Sequence, residues 1–293
     1  INTMISQKRY PKIFSCEFSP PNTDAGMRRL FTAREELMRM RPTFFSVTYG
    51  AGGSIRERTF EAIQAIQAHS GVDAAPHLTC VASTCTGIRE ILDHYRAQGI
   101  RRIVALRGDL PSGMREFGEF RYANELVEFI RAETGDYFHI EVAAYPEFHP
   151  QAPSPERDLL NFQRKVEAGA NSAITQYFYN PDSYFRLVDD CQRLGLNLPI
   201  VPGIMPITNH TQLARFSDAC GAEIPRWIRR RLESFGDDRN AIRIFGLDVV
   251  TDLCQRLLAG GAPGLHFYTM NQAGTTLAID ERLGLTTELQ SSL

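Results

Sequence analysis

Short apolar runs alternate with amphipathic stretches along almost the whole chain. The runs are rich in β-branched and aromatic residues and are apolar at nearly every position, which is typical of strands buried on both faces of a parallel sheet. They lie at residues 13–19, 44–49, 74–80, 102–107, 139–145, 172–179, 199–205 and 265–270. The pattern therefore predicts eight parallel strands.

Between the runs, apolar residues recur with the spacing of a helix that has one buried face. The segments 88–95, 123–130 and 184–191 each carry apolar residues at positions i, i+3, i+4 and i+7. At 154–155 and 180–181 a serine or an asparagine precedes a proline, a pairing typical of the first residues of a helix. Helices are therefore predicted between the strands.

Alternation of strands and helices predicts a parallel sheet covered by helices. Eight such units in 293 residues favour an α/β fold of the (β/α)8 TIM-barrel type over an open doubly wound sheet, because no glycine-rich phosphate loop of either common pattern occurs. The segment 209–260 is too long for one crossover and predicts extra helices before strand eight, one of them at 224–235. No linker rich in Pro, Gly or Ser divides the chain, so we expect a single domain over residues 1–293.

Charge and cysteine usage exclude several functional classes. The chain has 32 basic and 34 acidic residues, so no basic excess is present to bind nucleic acid. No run of 18 apolar residues occurs, and we therefore expect no membrane span. The six cysteines are scattered without a C-x-x-C pair, which indicates a reduced, cytoplasmic protein rather than a disulfide or zinc framework.

Polar side chains occur at the C-terminal ends of the predicted strands, where barrel enzymes carry their active sites. Glu17 lies inside the first apolar run, where a carboxylate without a use is costly to bury. A buried acid surrounded by amides and aromatic rings suits a planar heteroaromatic ligand. The other polar strand ends are Thr48 and Tyr49, His77, Arg107 to Asp109, Tyr145 to His149, Gln176 and Tyr177, and His266 to Asn271.

Several of these residues also have a purely structural interpretation. Glu17 could pair with an arginine of a neighbouring strand, and His77 could be a hydrogen-bonded histidine of the core. The aromatic residues Tyr177, Phe178 and Tyr179 are most simply part of the core and the barrel rim.

Other barrel chemistries have less support. A Schiff-base aldolase needs a lysine at a strand end, and Lys165, the only lysine beyond position 12, lies on a predicted helix. The dispersed histidines do not predict a metal site. A retaining glycosidase could use Glu17 with Asp109 or Glu147, although a single Trp offers little for stacking on sugars. The residues alone thus indicate a barrel with a planar ligand and leave a glycosidase or another hydrolase as alternatives.

At its strand ends the chain resembles the bacterial 5,10-methylenetetrahydrofolate reductases, over nearly its whole length from Phe14 to Leu283. The matching blocks follow the family's order, each at a predicted strand end: Cys16-Glu-Phe-Ser-Pro-Pro21, Ser46-Val-Thr-Tyr-Gly-Ala51, Ala75-Pro-His-Leu-Thr-Cys80, Ile103-Val-Ala-Leu-Arg-Gly-Asp-Leu-Pro111, Val142-Ala-Ala-Tyr-Pro-Glu147, Ala173-Ile-Thr-Gln176, Pro202-Gly-Ile204 and His266-Phe-Tyr-Thr269.

The resemblance implies a (β/α)8 barrel that holds FAD without a covalent bond. NADH or NADPH would reduce the FAD and leave, and methylenetetrahydrofolate would then take the hydride and become 5-methyltetrahydrofolate, the methyl donor for methionine synthesis. Bacterial relatives imply a homotetramer. The alternative that the resemblance leaves open is a non-catalytic barrel that binds FAD or folate.

The resemblance also implies roles for residues. Glu17 matches the family's general acid, and burial in an apolar strand predicts a raised pKa for it. Asp109 matches the aspartate beside the flavin, and at Gln272 the family often has an arginine, so we expect a weaker hold on the folate tail. The implied FAD contacts are Thr48, Tyr49, Ala51, His77, Arg107, Gly108, Asp109, Tyr122, Ala123, Tyr145, His149, Asp158, Asn161, Arg164 and Lys165. The implied substrate contacts are Gln176, Gln212, Phe216, Tyr268 and Gln272.

Overall fold

A computed structural model describes residues 5–49, 53–68, 71–109, 116 and 118–285. Within this part of the chain the strands form one sheet in the order β7-β6-β5-β4-β3-β2-β1-β9-β8, and every neighbouring pair is parallel. The strands are Ile13–Phe18 (β1), Phe44–Val47 (β2), Asp73–Thr79 (β3), Arg102–Leu106 (β4), His139–Ala144 (β5), Ser172–Thr175 (β6), Ile200–Val201 (β7), Gly203–Ile204 (β8) and Gly264–Tyr268 (β9).

β7 and β8 are two halves of one strand, and together they close the barrel. β7 pairs with β6, whereas β8 pairs with β9 on the other side. Pro202 separates the halves and has no N–H to donate, but its carbonyl accepts a hydrogen bond of 3.0 Å from the N–H of His266. Counting the halves as one strand gives eight, which confirms the predicted (β/α)8 barrel.

Helices follow the strands and cover the outside of the barrel. Three of them, α8 to α10, lie between β8 and β9 and confirm the extra helices predicted before the last strand; α9 corresponds to the predicted helix at 224–235. The described α-helices are Ile5–Lys8 (α1), Asp24–Leu37 (α2), Gly53–Gln67 (α3), Cys85–Ala97 (α4), Ala123–Thr134 (α5), Pro155–Glu167 (α6), Pro181–Arg193 (α7), His210–Cys220 (α8), Arg226–Ser234 (α9), Arg239–Ala259 (α10) and Gly274–Leu283 (α11). No helix of the described segments has both the length and the apolar character needed to cross a membrane.

The predicted helix starts form as their sequence signals indicate. The side chain of Asn180 accepts a hydrogen bond of 3.0 Å from the N–H of Asp182, and the Ser154 hydroxyl accepts one of 3.3 Å from the N–H of Arg157. Each cap precedes a proline in the first turn of its helix. These caps confirm the starts predicted for α6 and α7.

One predicted strand is too long at its C-terminal end. The run at 172–179 is apolar throughout, but β6 ends at Thr175. The remaining aromatic residues are buried by helices instead of strands: Phe178 stacks on Tyr184 of α7 with 5.9 Å between ring centroids, and Tyr177 contacts α8. An apolar run indicates that its residues are buried. Residues of the turn after a strand can be buried as well, so the run does not show where the strand ends.

A polar layer and an apolar layer fill the barrel below the strand ends. Arg102 and Glu141 form a buried ion pair of 2.8 Å between Nη1 and Oε1, and the Arg102 guanidinium lies 4.5 Å from the centroid of the Phe44 ring. Phe44 packs with Ala75, Val104 and Ile174. This apolar layer fills the barrel beneath the polar residues of the strand ends.

Candidate active site

Glu17 lies in β1 and its carboxylate meets side chains of three other strands. The Oε2 atom lies 3.2 Å from Nε2 of His77 in β3 and 3.8 Å from Nε2 of His266 in β9. The Ser46 hydroxyl of β2 donates a weaker hydrogen bond of 3.4 Å to the same oxygen. Glu17 is thus paired with histidines and not with the arginine of the structural interpretation, and His77 is a partner of this acid.

The pKa of Glu17 is lowered, whereas the sequence predicts a raised pKa. Burial raises the pKa of this carboxyl, but the charge and hydrogen bond of His77, together with the charge of His266, outweigh burial and lower it to about 2. The predicted raised pKa is therefore wrong for the protein without ligands. The apolar run around Glu17 indicates burial, which raises the pKa of a carboxyl. The two histidines lie on strands far along the chain, and no local sequence pattern connects them to Glu17.

His266 connects Glu17 to a second hydroxyl inside the barrel. Its Nδ1 lies 2.7 Å from the Oγ atom of Ser15, and its ring is almost fully buried. Its Nε2 faces Glu17, but 3.8 Å is too long for a hydrogen bond, and this buried nitrogen has no hydrogen-bond partner among the described residues. His266 was noted at a strand end in the sequence without a role; its period-two relation to Tyr268 was the signal that both face the interior.

A cavity of 310 Å³ opens beside this carboxylate. The Tyr268 hydroxyl in its wall donates a hydrogen bond of 2.7 Å to the carbonyl of Thr175, and Oε1 of Gln176 accepts one of 3.0 Å from the N–H of Tyr177. Apolar walls with a few polar groups suit a flat ring that has polar edges. The lining residues are Glu17, His77, Val104, Leu106, Val142, Ala143, Tyr145, Ile174, Gln176, Met205, His266 and Tyr268.

A larger cavity of 860 Å³ lies next to the first, and Tyr145 lines both. It is bounded by the loop after β5 and by helices α6 and α7, and Asp158 and Glu147 are among its lining residues. His149 packs edge-on against Tyr145 with 4.7 Å between ring centroids. Burial raises the pKa of Asp158, and the pKa of Tyr145 is raised to about 12 for the same reason. The lining of the larger cavity is acidic, because its carboxylates outnumber its one arginine, Arg186.

The turn after β4 requires its glycine. Gly108 has a φ of 81°, and a Cβ at this position would lie 2.9 Å from Cγ1 of Val81. Arg107 before it donates hydrogen bonds to the side chain of Gln151 and, at 3.3 Å, to the carbonyl of Gly108. Asp109 after it is exposed to solvent. The tight turn thus presents an arginine and an aspartate at the same strand end.

Lys165 and Arg164 of α6 lie in different surroundings. Lys165 donates a hydrogen bond from Nζ to the carbonyl of Ala143, and burial lowers its pKa to about 8. Its Nζ also lies 5.7 Å from the centroid of the Tyr145 ring. Arg164 is exposed, lies 3.5 Å from Oδ1 of Asn161, and lines a groove between α5 and α6.

The remaining candidate residues lie at the ends of strands and on helices outside the smaller cavity. Thr48 and Tyr49 are half-buried after β2, while Tyr122 is exposed at the N-cap of α5 with Ala123 next to it. The structure brings Glu17, His77, Tyr145, Gln176 and Tyr268 together in one cavity. It does not bring Gln212, Phe216 and Gln272 into its lining, and Ala51 lies outside the described residues.

Comparison with known proteins identifies the family. The family profile described as methylenetetrahydrofolate reductase matches residues 2–284. The chain is 42% identical over 271 residues to 5,10-methylenetetrahydrofolate reductase of Escherichia coli, across 92% of this chain and 90% of that protein. It is 39% identical to methylenetetrahydrofolate reductase (NADH) 1 of Arabidopsis thaliana, across 95% of this chain and 49% of that longer protein.

A solved structure shares the fold at low sequence identity. A protein of Clostridium thermocellum that binds two copies of 5-methyl-5,6,7,8-tetrahydrofolic acid superposes with a TM-score of 0.63 over 98% of both chains, at 14% identity. The profile match and the identity to the bacterial relatives are independent of that likeness and extend over nearly the whole barrel. The chain belongs to the methylenetetrahydrofolate reductase family.

Proposed function

We propose that the protein is a flavoenzyme that reduces 5,10-methylenetetrahydrofolate to 5-methyltetrahydrofolate, with NADH or NADPH as the reductant and FAD as the carrier of the hydride. The observation that carries this proposal is the partly buried acid Glu17, which lies between His77 and His266 in the wall of a cavity with apolar sides. The folate bound by the Clostridium thermocellum neighbour adds support for a pterin ligand. The product would supply methyl groups for methionine synthesis.

The residues around the smaller cavity fit a flavin. Apolar side chains such as Val104 and Leu106 suit the ring. Lys165, whose Nζ lies 5.7 Å from the centroid of the Tyr145 ring in the cavity wall, and Arg107 would supply positive charge for a diphosphate. Asp158 would accept hydrogen bonds from a ribose. When bound, FAD would accept a hydride from the nicotinamide and pass it to the folate.

Glu17 acts as the general acid in this proposal. The one-carbon bridge of the substrate must open to a cationic iminium before it can accept a hydride, and this requires a proton on a folate nitrogen. With a pKa of about 2, Glu17 holds no proton at neutral pH in the protein without ligands. Its pKa must therefore rise when the site fills.

His77 offers a route by which the pKa of Glu17 can rise. His77 is both the nearer histidine partner of Glu17 and a proposed contact of FAD, so acid and cofactor compete for one imidazole. If the cofactor engages His77, the charge that lowers the pKa of Glu17 weakens and the effect of burial dominates. Asp109 would assist by its negative charge, which favours a cation nearby and disfavours an anionic reduced flavin.

Substrate binding in this proposal uses side chains of helix α8 and of the C-terminal ends of β6 and β9. Gln176 and Gln212 would read the polar edge of the pterin, because a carboxamide both donates and accepts hydrogen bonds. Phe216 would stack on the ring of the nicotinamide or of the folate, which would use the same place in turn. Tyr268 and Gln272 would also contact the folate, Gln272 near its tail.

A flavin spectrum tests the proposal directly. Purified protein should be yellow, lose its colour with NADH or NADPH in the absence of oxygen, and regain it when methylenetetrahydrofolate is added. Protein that bleaches but does not regain colour with the folate would instead be a binding barrel without the reductase activity. Protein that takes up no FAD would overturn the proposal.

We propose further that the protein works as a cytoplasmic homotetramer, as the resemblance implies. Light scattering of the holoprotein would give about four times the 33.0 kDa of one chain if this is correct. The rates of bleaching by NADH and by NADPH at equal concentration would establish which nucleotide is preferred.

A further inference from the structure

Helix α8 carries two of the proposed substrate contacts but is attached to the barrel elsewhere. Gln212 in its first turn is exposed, and Phe216 one turn later is half-buried. The buried face of the helix consists of Leu213 and Ser217. The position of the two substrate contacts therefore depends on what holds that buried face.

A buried hydrogen bond joins this face to the segment that follows β6. The hydroxyls of Tyr177 and Ser217 lie 2.8 Å apart, and both residues are almost completely shielded from solvent. Tyr177 follows Gln176 directly, and its backbone N–H donates to the side chain of that residue. One tyrosine thus contacts a cavity-lining amide through its backbone and helix α8 through its side chain.

A second attachment keeps the helix in the fold without passing through Tyr177. The carboxylate of Glu147 accepts a hydrogen bond of 2.9 Å from the N–H of Glu223, just beyond the helix. Gly221 at the C-cap packs so closely on Pro150 that a Cβ would lie 2.8 Å from its Cγ. Loss of the Tyr177 hydroxyl should therefore shift α8 rather than release it.

We infer that Tyr177 is a positioning residue which, through its hydrogen bond to Ser217, fixes helix α8 and with it Gln212 and Phe216 against the substrate site. The inference rests on the proposed function, in which both substrates stack under Phe216. It distinguishes Tyr177 from the other buried aromatic residues of its run, because Phe178 and Tyr179 make no such bond to α8.

The inference predicts a selective defect in Tyr177→Phe. The phenyl ring keeps the packing but leaves the Ser217 hydroxyl without its partner, so α8 shifts while its second attachment holds it in the fold. The KM for the folate and the Kd for NADH should both rise about 3- to 10-fold, the range expected for one buried hydrogen bond. The rate of flavin reduction at saturating NADH and the FAD content should stay within about twofold of the wild type.

Tyr184→Phe is the matched control. Tyr184 is equally buried, and its hydroxyl donates a hydrogen bond of 2.6 Å to the carbonyl of Ile200, away from α8. This variant should lose a comparable amount of stability in urea unfolding and keep both substrate affinities. A merely structural role of Tyr177 would make the two variants alike.

Combining two substitutions tests the pair itself. Ser217→Ala should reproduce the defect of Tyr177→Phe, and the double variant should be little worse than either single one, because both lack the same bond. Unchanged KM and Kd in Tyr177→Phe, or defects equal to those of Tyr184→Phe, would overturn the inference. Failure of the proposed function would already be visible as wild-type holoprotein without folate turnover.

Discussion

In the proposed function Glu17 is the general acid, and its carboxylate is surrounded by side chains of three other strands. We expect Glu17→Gln to separate the two half-reactions, because only the reduction of the folate needs a proton donor. Reduction of FAD by NADH should persist within a few-fold, and folate reduction should fall at least about 100-fold. Rapid-mixing absorbance measures both steps, and a variant with two intact half-reactions would make Glu17 a structural residue.

The same carboxylate has a consequence for stability in acid. Its pKa is lowered to about 2 by His77 and His266 in the fold. A lowered pKa contributes stability that is present above the ordinary glutamate value, and this contribution is lost as the pH falls through the folded value. The protein without ligands should therefore lose of the order of 1–3 kcal/mol between pH 5 and pH 2 through this residue. Urea unfolding of Glu17→Gln should lack this component, so that the stability gap between variant and wild type closes at low pH.

The neutral side chain of Gln272 affects how strongly the negatively charged tail of the folate is expected to bind. This exposed residue follows β9, and in the proposed function its neutral amide would give the tail a hydrogen bond but little Coulomb attraction. Gln272→Arg should tighten 5-methyltetrahydrofolate binding by several-fold at most, and more at low than at high ionic strength, because an exposed pair is weak and screened. Titration of the oxidised holoprotein at two salt concentrations would show this. Equal affinities at low salt would place the tail elsewhere.

At the scale of elements, the divided strand β7–β8 depends on a glycine. A Cβ on Gly203 would lie 2.2 Å from the carbonyl oxygen of Thr175 and 2.6 Å from the Tyr268 ring. Gly203→Ala should therefore cost about 2–4 kcal/mol of unfolding free energy and weaken FAD binding, since Tyr268 lines the smaller cavity. Gly274→Ala is the control, because nothing lies within 4 Å of its Cβ. Similar denaturation midpoints for both variants would contradict this account.

The elements also show what could be predicted from the sequence and why. Strands buried on both faces are apolar at nearly every position, so their number and order were predictable, and caps such as Asn180 mark helix starts within a few residues. The end of β6 was not predictable, because Tyr177 and Phe178 are equally apolar when helices bury them. The pairing of Glu17 with His266 depends on barrel closure, a property of the whole topology, and so the direction of its pKa shift could not be predicted.

At the scale of the whole molecule, cofactor and fold should stabilise each other. A ligand that binds only the folded protein adds about 2.7 kcal/mol of stability at 100 times its Kd, which should appear as a higher melting temperature with added FAD. Riboflavin lacks the adenosine diphosphate, so it cannot make the contacts proposed for Arg107 and Lys165 with the diphosphate and should raise the melting temperature less. Equal effects of both compounds at equal concentration would mean that these two residues take no part in binding.

The first and last described strands of the barrel pair with each other, and this has a consequence for synthesis on the ribosome. β1 pairs with β9, and Ser15 contacts His266 across 251 residues of chain. At a translation rate of 5–20 residues per second, roughly 12–50 s pass between the synthesis of β1 and that of its partner β9. During that time a newly made apolar edge is exposed, and such edges pair readily with other chains. The nascent chain should therefore depend on chaperones until Gly264–Tyr268 emerges, and Glu17 acquires its second histidine only at that point.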